Sequence, residues 1–328
     1  MKAGRLFLAV ESGGTRTIAS IFSDEGELLG YSIGGPSSHH VVGVARSEET
    51  LKAVISDCMA SVGLKDYVFE IGCFGMASLD TPKDFEIISE MVKSMNIIKN
   101  PIIVGDHVTA YYTVTGGRPG IVVIAGTGSM GYGRVKDGVE ARAGGWEWLV
   151  SDEGSAYDIA RRALVYAVRS YDGLEEKTSL LDKFMEHFKA SSFEEFIQKL
   201  YEDPRKHRIA SLATIVATAA YEGDNVARKI LKVAGKELGL LAFSVAKKLR
   251  IENDPIMVGC VGGVFRSGPI IFNSFKSFIR KKMPKATIMD PVFSAIEGAM
   301  FLCLKEAGIQ LSENLMKKIR LQVRKLDH

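Results

Sequence analysis

The chain has 328 residues, 46% hydrophobic and 25% charged, which is a globular balance with ample length for a core and, at roughly 150 residues per domain, for two lobes. Its 42 Lys+Arg against 39 Asp+Glu leave a net charge of +3, so charge gives no case for nucleic acid or an anionic membrane as partner. Cys58, Cys73, Cys260 and Cys303 form no CxxC pair. A disulfide framework or a compact cysteine zinc site is therefore not expected, and the expected setting is a reducing cytoplasm. No uncharged apolar run approaches ~18 residues, and the N-terminus has no long apolar stretch, so neither a membrane span nor a signal peptide is expected.

The chain opens with an apolar run, Leu6 to Val10, that ends abruptly in Glu11 and a Gly-rich turn. A second run, Thr17 to Phe22, follows at once, and Asp24 to Gly26 signals a turn into a third strand, Glu27 to Ile33. Connections this short make the three strands antiparallel. Helical spacing follows over Ser47 to Val62. Then come a strand (Asp66 to Phe74), a helix (Pro82 to Met95), a buried strand (Pro101 to Val104) and a helix (Val108 to Val114). Strands reached through helices should run parallel to the first.

The pattern then restarts. Gly120 to Ala125 is a buried strand ending in Gly126, Thr127, Gly128 and Ser129, followed by two short strands around the turn at Asp137 and Gly138. From Glu153 to Arg250 the chain reads as nearly all helix. Strands return at Pro255 to Cys260 and Ala286 to Met289, with helices at Pro269 to Lys282 and Pro291 to Ala307 and a basic amphipathic tail, Ser312 to Leu326. We expect an α/β protein of duplicated architecture. One lobe covers residues 1–116 and a second covers 117–328, with a helical insertion at about 153–250.

The glycines carry the chemistry. A tight hairpin rich in Gly, Thr and Ser aims N–H and hydroxyl donors at one point, which suits a phosphate. Two such hairpins at equivalent positions of a repeat could clamp a triphosphate from both sides. Either alone could be a plain turn. Gly126 to Gly131 also matches G-x-G-x-x-G, but the dinucleotide fingerprint needs a helix directly after the glycines, and here a strand follows. No Walker P-loop motif occurs. A third cluster, Gly262 and Gly263 after the strand Pro255 to Val258, permits close approach of a flat group such as a nucleoside base, or simply a tight turn.

Asp106 ends a buried strand, where polar residues of α/β sheets face a ligand crevice. A carboxylate there could take the proton of an attacking hydroxyl, or cap the next helix. Glu11, beside the first hairpin, could hold magnesium through water or be a solvated turn residue. Asp152 and Glu153 follow Trp146 and Ser151. Ordinary helix-start chemistry explains them, and so does a grip on sugar hydroxyls with Trp146 shaping the pocket. His39 and His40 lie in a loop after Gly34 to Ser38. Adjacent histidines rarely ligate one metal together, so a surface or substrate-contacting loop is expected.

The ordered set Glu11 to Thr17, Gly34 to Pro36, Gly75 to Ala77, Asp106, Gly126 to Ser129, Arg142 to Trp146, Ser151 to Ser155, Gly262 to Val264 and Gly298–Ala299 resembles the N-acetylglucosamine kinase and BadF/BadG/BcrA/BcrD ATPase family of the actin-like ATPase and sugar kinase superfamily. The resemblance implies two ribonuclease-H-like lobes. It also implies an ATP- and Mg2+-dependent kinase that transfers the γ-phosphate to a small carbohydrate, N-acetylglucosamine or a related hexose. It assigns Asp106 as catalytic base and Gly13, Gly14, Thr15, Arg16, Thr17, Gly126, Thr127, Gly128 and Ser129 to the phosphates. Gly262 and Gly263 would border the adenosine, and Glu11 would hold magnesium through water. Ser38, His39, Ala77, Gly144, Gly145, Trp146, Asp152 and Glu153 would face the sugar. By analogy the protein is a homodimer.

The chain departs from the family pattern at Glu11 for Asp, Ser12 for Gly, Glu147 for Gly after Trp, Ser151 for Gly, and in the loop Ser37 to His40, where an Asn is usual. Most of these fall on the sugar side, so a sugar-acid kinase of the 2-keto-3-deoxygluconate type is the alternative. An ATPase activator of a 2-hydroxyacyl-CoA dehydratase, whose iron–sulfur cluster needs two cysteines per chain, and a non-catalytic sugar sensor are weaker readings.

Overall fold

The computed structural model describes residues 4–326. Two compact units emerge: Met1–Arg118 with Ser294–His328, and Pro119–Phe293. The chain thus returns to the first unit at its end, where the sequence suggested one division near residue 116.

In the first unit, β1 (Leu6–Ser12), β2 (Thr17–Ser23) and β3 (Leu28–Gly34) form an antiparallel meander. A short helix α1 (His39–Val42), which the sequence pattern did not reveal, precedes α2 (Val44–Ser61). Then β4 (Phe69–Met76), α3 (Pro82–Ser94), β5 (Ile98–Gly105) and α4 (Asp106–Thr115) follow. β4 pairs parallel with β1, and β5 parallel with β4. The sheet order is β3-β2-β1-β4-β5. Phe7, Leu8, Val10, Phe69 and Phe74 are fully buried, as expected of strands covered on both faces.

The second unit repeats the plan with β6 (Gly120–Ala125), β7 (Ser129–Arg134) and β8 (Glu140–Gly144) antiparallel, then β9 (Met257–Val261) and β10 (Thr287–Ile288) parallel to them in turn. Its order, β10-β9-β6-β7-β8, is the same one written from the other edge. The insertion consists of α5 (Ala156–Tyr171), α6 (Leu180–Phe188), α7 (Phe193–Glu202), α8 (Lys206–Ser211), α9 (Ala213–Tyr221) and α10 (Asn225–Leu249). Phe184 and Phe196, both fully buried, belong to the hydrophobic core that it shares with the sheet. α11 (Pro269–Lys282) lies against α10, where Gly235 permits close contact: a Cβ there would meet Ile271 O at 2.2 Å. Among the described residues, no helix is long and apolar enough to cross a membrane.

The last segment completes the first unit. α12 (Ile296–Glu306) packs on α4, β1 and β4. α13 (Glu313–Arg324), the amphipathic tail, buries Met316, Ile319 and Val323. The Gln322 side chain accepts from Leu28 N and donates to Gly26 O. The tightest helix contact is at Gly298, where a Cβ would stand 1.8 Å from Thr109 O. Gly298→Ala should therefore lower unfolding free energy by about 3 kcal/mol, the upper end of ordinary overpacking. Chemical denaturation should show a lower midpoint with an unchanged slope.

Candidate active site

Parallel pairing of β1, β4 and β5 gathers their carboxyl ends at one edge of the first sheet, and Asp106 follows β5 there. The helix-cap explanation of Asp106 does not hold. Gly105 occupies the cap position of α4, and Asp106 is already in the first turn. Its side chain keeps 37% of its surface accessible. Even so, desolvation by the surrounding protein, then the negative charge of Glu11 and that of Asp80, push its carboxyl up to about 7, against one lowering bond from the His107 backbone.

Glu11 is the penultimate residue of β1, and its Oε2 accepts from Ser294 Oγ at 2.6 Å and from Ala295 N at 3.0 Å, at the start of α12. A helix N-terminus stabilises this anion. The first hairpin closes through Gly13 N donating to Arg16 O at 2.9 Å. Gly14 and Arg16 are half-buried and Thr15 is exposed. Thr17 is different. It is fully buried, donates to Gly35 O at 2.7 Å, and lies 2.6 Å from Ser37 Oγ, which reaches Ser12 Oγ at 2.7 Å. Thr17 thus fastens the loop after β3 to the hairpin. Ser37 N and Ser38 N also donate to Gly13 O. Ala77 N donates to Ser12 O, tying the end of β4 to β1.

The histidine loop carries a network the sequence reading missed. His39 is buried, with Nε2 2.9 Å from Asp84 Oδ1 and Nδ1 2.8 Å from Ser78 Oγ. Both ring nitrogens are therefore engaged within the protein. His40 Nε2 lies 2.8 Å from the same Oδ1. Asp84 Oδ2 accepts from Thr81 N and Thr81 Oγ1 in the capping box of α3. Burial opposes the charge of Asp84, but the bonds from Thr81, His40 and His39 outweigh it and hold the carboxyl well below the usual range. The local signal was Thr81–Pro82 with Asp84 three residues after the cap. Its pairing with the histidines is not local.

In the second unit, the Gly126–Ser129 turn is held from outside. Gly126 N donates to Gly128 O. Gly126 O and Thr127 O accept from Ala156 N and Tyr157 N at the start of α5. Ser129 N donates to Asp152 Oδ1 at 3.0 Å, and Ser129 Oγ to Glu153 O at 2.7 Å. A strand follows the turn at once, as the sequence indicated against a dinucleotide fold.

Asp152 is not a helix-start acid. The cap of α5 is Ser155, whose hydroxyl accepts from Asp158 N. Asp152 stands outside the helix with φ +73° and is 3% exposed. Lys206, the first residue of α8, brings Nζ within 2.8 Å of both Asp152 Oδ2 and Glu147 Oε2. Burial alone would lower the ammonium's pKa, but the bonds to Asp152 and Glu147 raise it instead. No sequence signal joins Lys206 to Asp152. Glu153 is exposed. Gly144 and Gly145 have φ near +70°, and Trp146 stands 62% exposed with the Arg142 guanidinium 3.9 Å from its ring centre, a cation–π contact.

The third glycine pair divides in two. A Cβ on Gly262 would meet Ala125 O at 2.3 Å, so Gly262 serves the approach of β9 to β6. Gly263 is exposed, with nothing within 4 Å of a Cβ, and is the member of the pair a ligand can approach.

The sequence profile of the BadF/BadG/BcrA/BcrD ATPase family matches residues 8–302. An N-acetylmuramic acid/N-acetylglucosamine kinase of Clostridium acetobutylicum is 32% identical, the alignment covering 91% of this chain and 98% of that protein. An N-acetyl-D-glucosamine kinase of Dictyostelium discoideum is 28% identical over the same shares. A crystal structure from Chromobacterium violaceum, provisionally named an N-acetylglucosamine kinase, superposes with a TM-score of 0.75 at 22% identity over 92% of this chain and 99% of that one. It shows the shared fold.

Lys206→Met should leave the Asp152 charge uncompensated and lower stability by roughly 1–3 kcal/mol, since the site keeps some access to water. Urea unfolding at neutral pH measures this. Addition of Asp152→Asn should recover much of the loss, because the orphaned charge is then gone.

Proposed function

Because the chain belongs to the BadF/BadG/BcrA/BcrD ATPase family, we propose that it is an ATP-dependent kinase that phosphorylates a hydroxyl of an N-acetylated hexosamine, with Asp106 as the base. The observation that carries this is the state of Asp106. It is a carboxyl at the end of a buried strand, freed from capping duty and poised to hold a proton near neutral pH. General bases work best when their pKa lies near the working pH. A deprotonated substrate hydroxyl then attacks the γ-phosphate in line, and phosphoryl transfer relies on positioning and charge stabilisation. The turns at Gly13–Arg16 and Gly126–Ser129 are assigned to the phosphates, and Gly263 to the nucleoside. Asp152 and Trp146 are assigned to the sugar.

Magnesium fits the chemistry of Glu11 and Asp106. The repulsion from Glu11 that raises Asp106 is what a divalent cation relieves. Hard carboxylate oxygens suit magnesium, which keeps several waters. When bound, it would neutralise charge on the transferring phosphate. Glu11 is the residue assigned to hold it through water.

The sugar-acid alternative gains nothing at Asp152, where Lys206 is already paired to two carboxylates. The activator reading needs thiols that can reach a cluster shared by two chains. All four cysteines are buried within their own units.

The test is ADP release from ATP and Mg2+ with N-acetylglucosamine, N-acetylmuramic acid, glucosamine, glucose and 2-keto-3-deoxygluconate. Stimulation by an N-acetylated hexosamine is expected, and stimulation by 2-keto-3-deoxygluconate alone overturns the substrate class. Asp106→Asn should reduce turnover by about 10²-fold or more; near-normal turnover removes Asp106 as base. In the wild type, kcat/KM should rise with pH through about 7, as the base loses its proton.

Stability should move the other way. A carboxyl raised above its unfolded value of ~3.9 weakens folding progressively between that pH and its folded value, and fully above it. Asp106→Asn should therefore raise the Tm most above pH 7 and least near pH 4.

A further inference from the structure

We infer that His39, His40 and Asp84 form a binding site for a zinc-type divalent cation, distinct from any magnesium that accompanies the nucleotide. A ring nitrogen of His39, a ring nitrogen of His40 and a carboxylate oxygen of Asp84 all lie within 4.8 Å of one another, and both Nε2 atoms face Asp84 Oδ1. Two imidazoles and one carboxylate, with a further position open to water, is a common zinc donor set. Imidazole favours zinc and its neighbours, whereas magnesium favours oxygen alone.

Three features beyond convergence point to a metal. First, the carboxylate's two oxygens have separate duties. Oδ2 accepts from Thr81 N at 2.8 Å and Thr81 Oγ1 at 2.7 Å, while Oδ1 alone faces both imidazoles. Second, the buried imidazole has an outer partner. Ser78 Oγ lies 2.8 Å from His39 Nδ1, opposite the converging Nε2. Such hydrogen bonds fix the tautomer and orientation of metal-bound histidines. Third, the ion has a way in. His39 and Asp84 are buried, but the His40 side chain is 48% exposed.

The distances require little adjustment. Tetrahedral ligands about 2.1 Å from zinc stand about 3.4 Å apart. The two Nε2–Oδ1 separations are 2.9 and 2.8 Å, so the donors need to part by about half an ångström; the half-exposed His40 ring is free to move, and the buried His39–Asp84 pair must open by the same amount. The ion would replace the two protons now shared with Oδ1, and His39 Nδ1–H would donate to Ser78. The consequence is mechanical: the loop of Gly35 to Gly43 becomes fastened to the start of α3. Nothing in this requires kinase activity, so the inference stands or falls apart from the proposed function.

The experiment titrates chelator-treated full-length protein with Co2+ in the absence of nucleotide. Visible absorption bands of tetrahedral intensity should grow to one equivalent per chain and vanish on adding Zn2+. Zn2+, but not Mg2+, should raise the Tm. His40→Ala removes a half-exposed side chain and should still fold. It should lose the bands and weaken Zn2+ binding by more than the 10–100-fold typical of losing an outer-shell partner. Asp84→Asn, which disturbs the α3 cap, is the secondary variant and should lose the bands as well. Absence of the bands in the wild type, or bands and a Zn2+-dependent Tm unchanged in His40→Ala, overturns the site.

Discussion

What organises the functional ends of both sheets is the need to keep buried and half-buried carboxylates solvated by protein. A buried charge without a partner is costly, so each acid must recruit donors. Glu11 takes the start of α12, and Asp84 takes two imidazoles and the α3 capping box. Asp152 takes the Ser129 amide and Lys206, while Asp158 takes the Gly154 amide and Arg162. Asp106 is handled in the opposite way. Desolvation and then the charges of Glu11 and Asp80 raise its proton affinity. Four carboxylates are given hydrogen-bond donors, and the fifth is kept ready to accept a proton. A purely structural role would reward the first treatment everywhere. The exception is therefore the strongest local argument for chemistry at Asp106.

The two units share a strand order but divide the equipment. In each, a hairpin leads into strands paired parallel, and this places the first turn and the later strand ends at the same edge. The first unit puts carboxyls there: Glu11 and Asp106. The second puts glycines there, at Gly126, Gly128, Gly262 and Gly263, and pairs Asp152, which binds the glycine turn, with Lys206. An acid-rich edge suits proton transfer and a metal, and a glycine-rich edge suits anions held by backbone amides.

The strand meanders were legible because hairpin length fixes strand direction locally, and the parallel strands because helices separate them. The two glycine turns were legible for the same local reason. The roles of particular glycines were not. Gly262 looks like a nucleoside platform in sequence, but its missing side chain answers to Ala125 O on a neighbouring strand. Thr17 looks like a phosphate donor, but its hydroxyl is used inside the loop. The Asp84 network and the Lys206 contact are illegible for a different reason. Each joins segments far apart in the chain, and neither leaves a period or motif behind. The return of the last helices to the first unit is equally hidden, because a helical pattern says nothing about which sheet it will cover.

Lys206 also changes how the helical insertion should be understood. An insertion of this size could serve only packing, since it shares one hydrophobic core with the sheet. Instead, the first residue of α8 delivers a cation to Asp152, which sits at a left-handed backbone angle and holds Ser129 N, the closing residue of the glycine turn. The turn is thus supported by α5 on one side and, through Asp152, by α8 on the other. A shift of α8 would loosen the Asp152 charge, and with it the donor geometry of the turn. The insertion is therefore coupled to the glycine turn by the backbone bonds of α5 and by the Lys206–Asp152 ion pair, and mutations in α8 should be judged by their effect on that pair before their effect on packing.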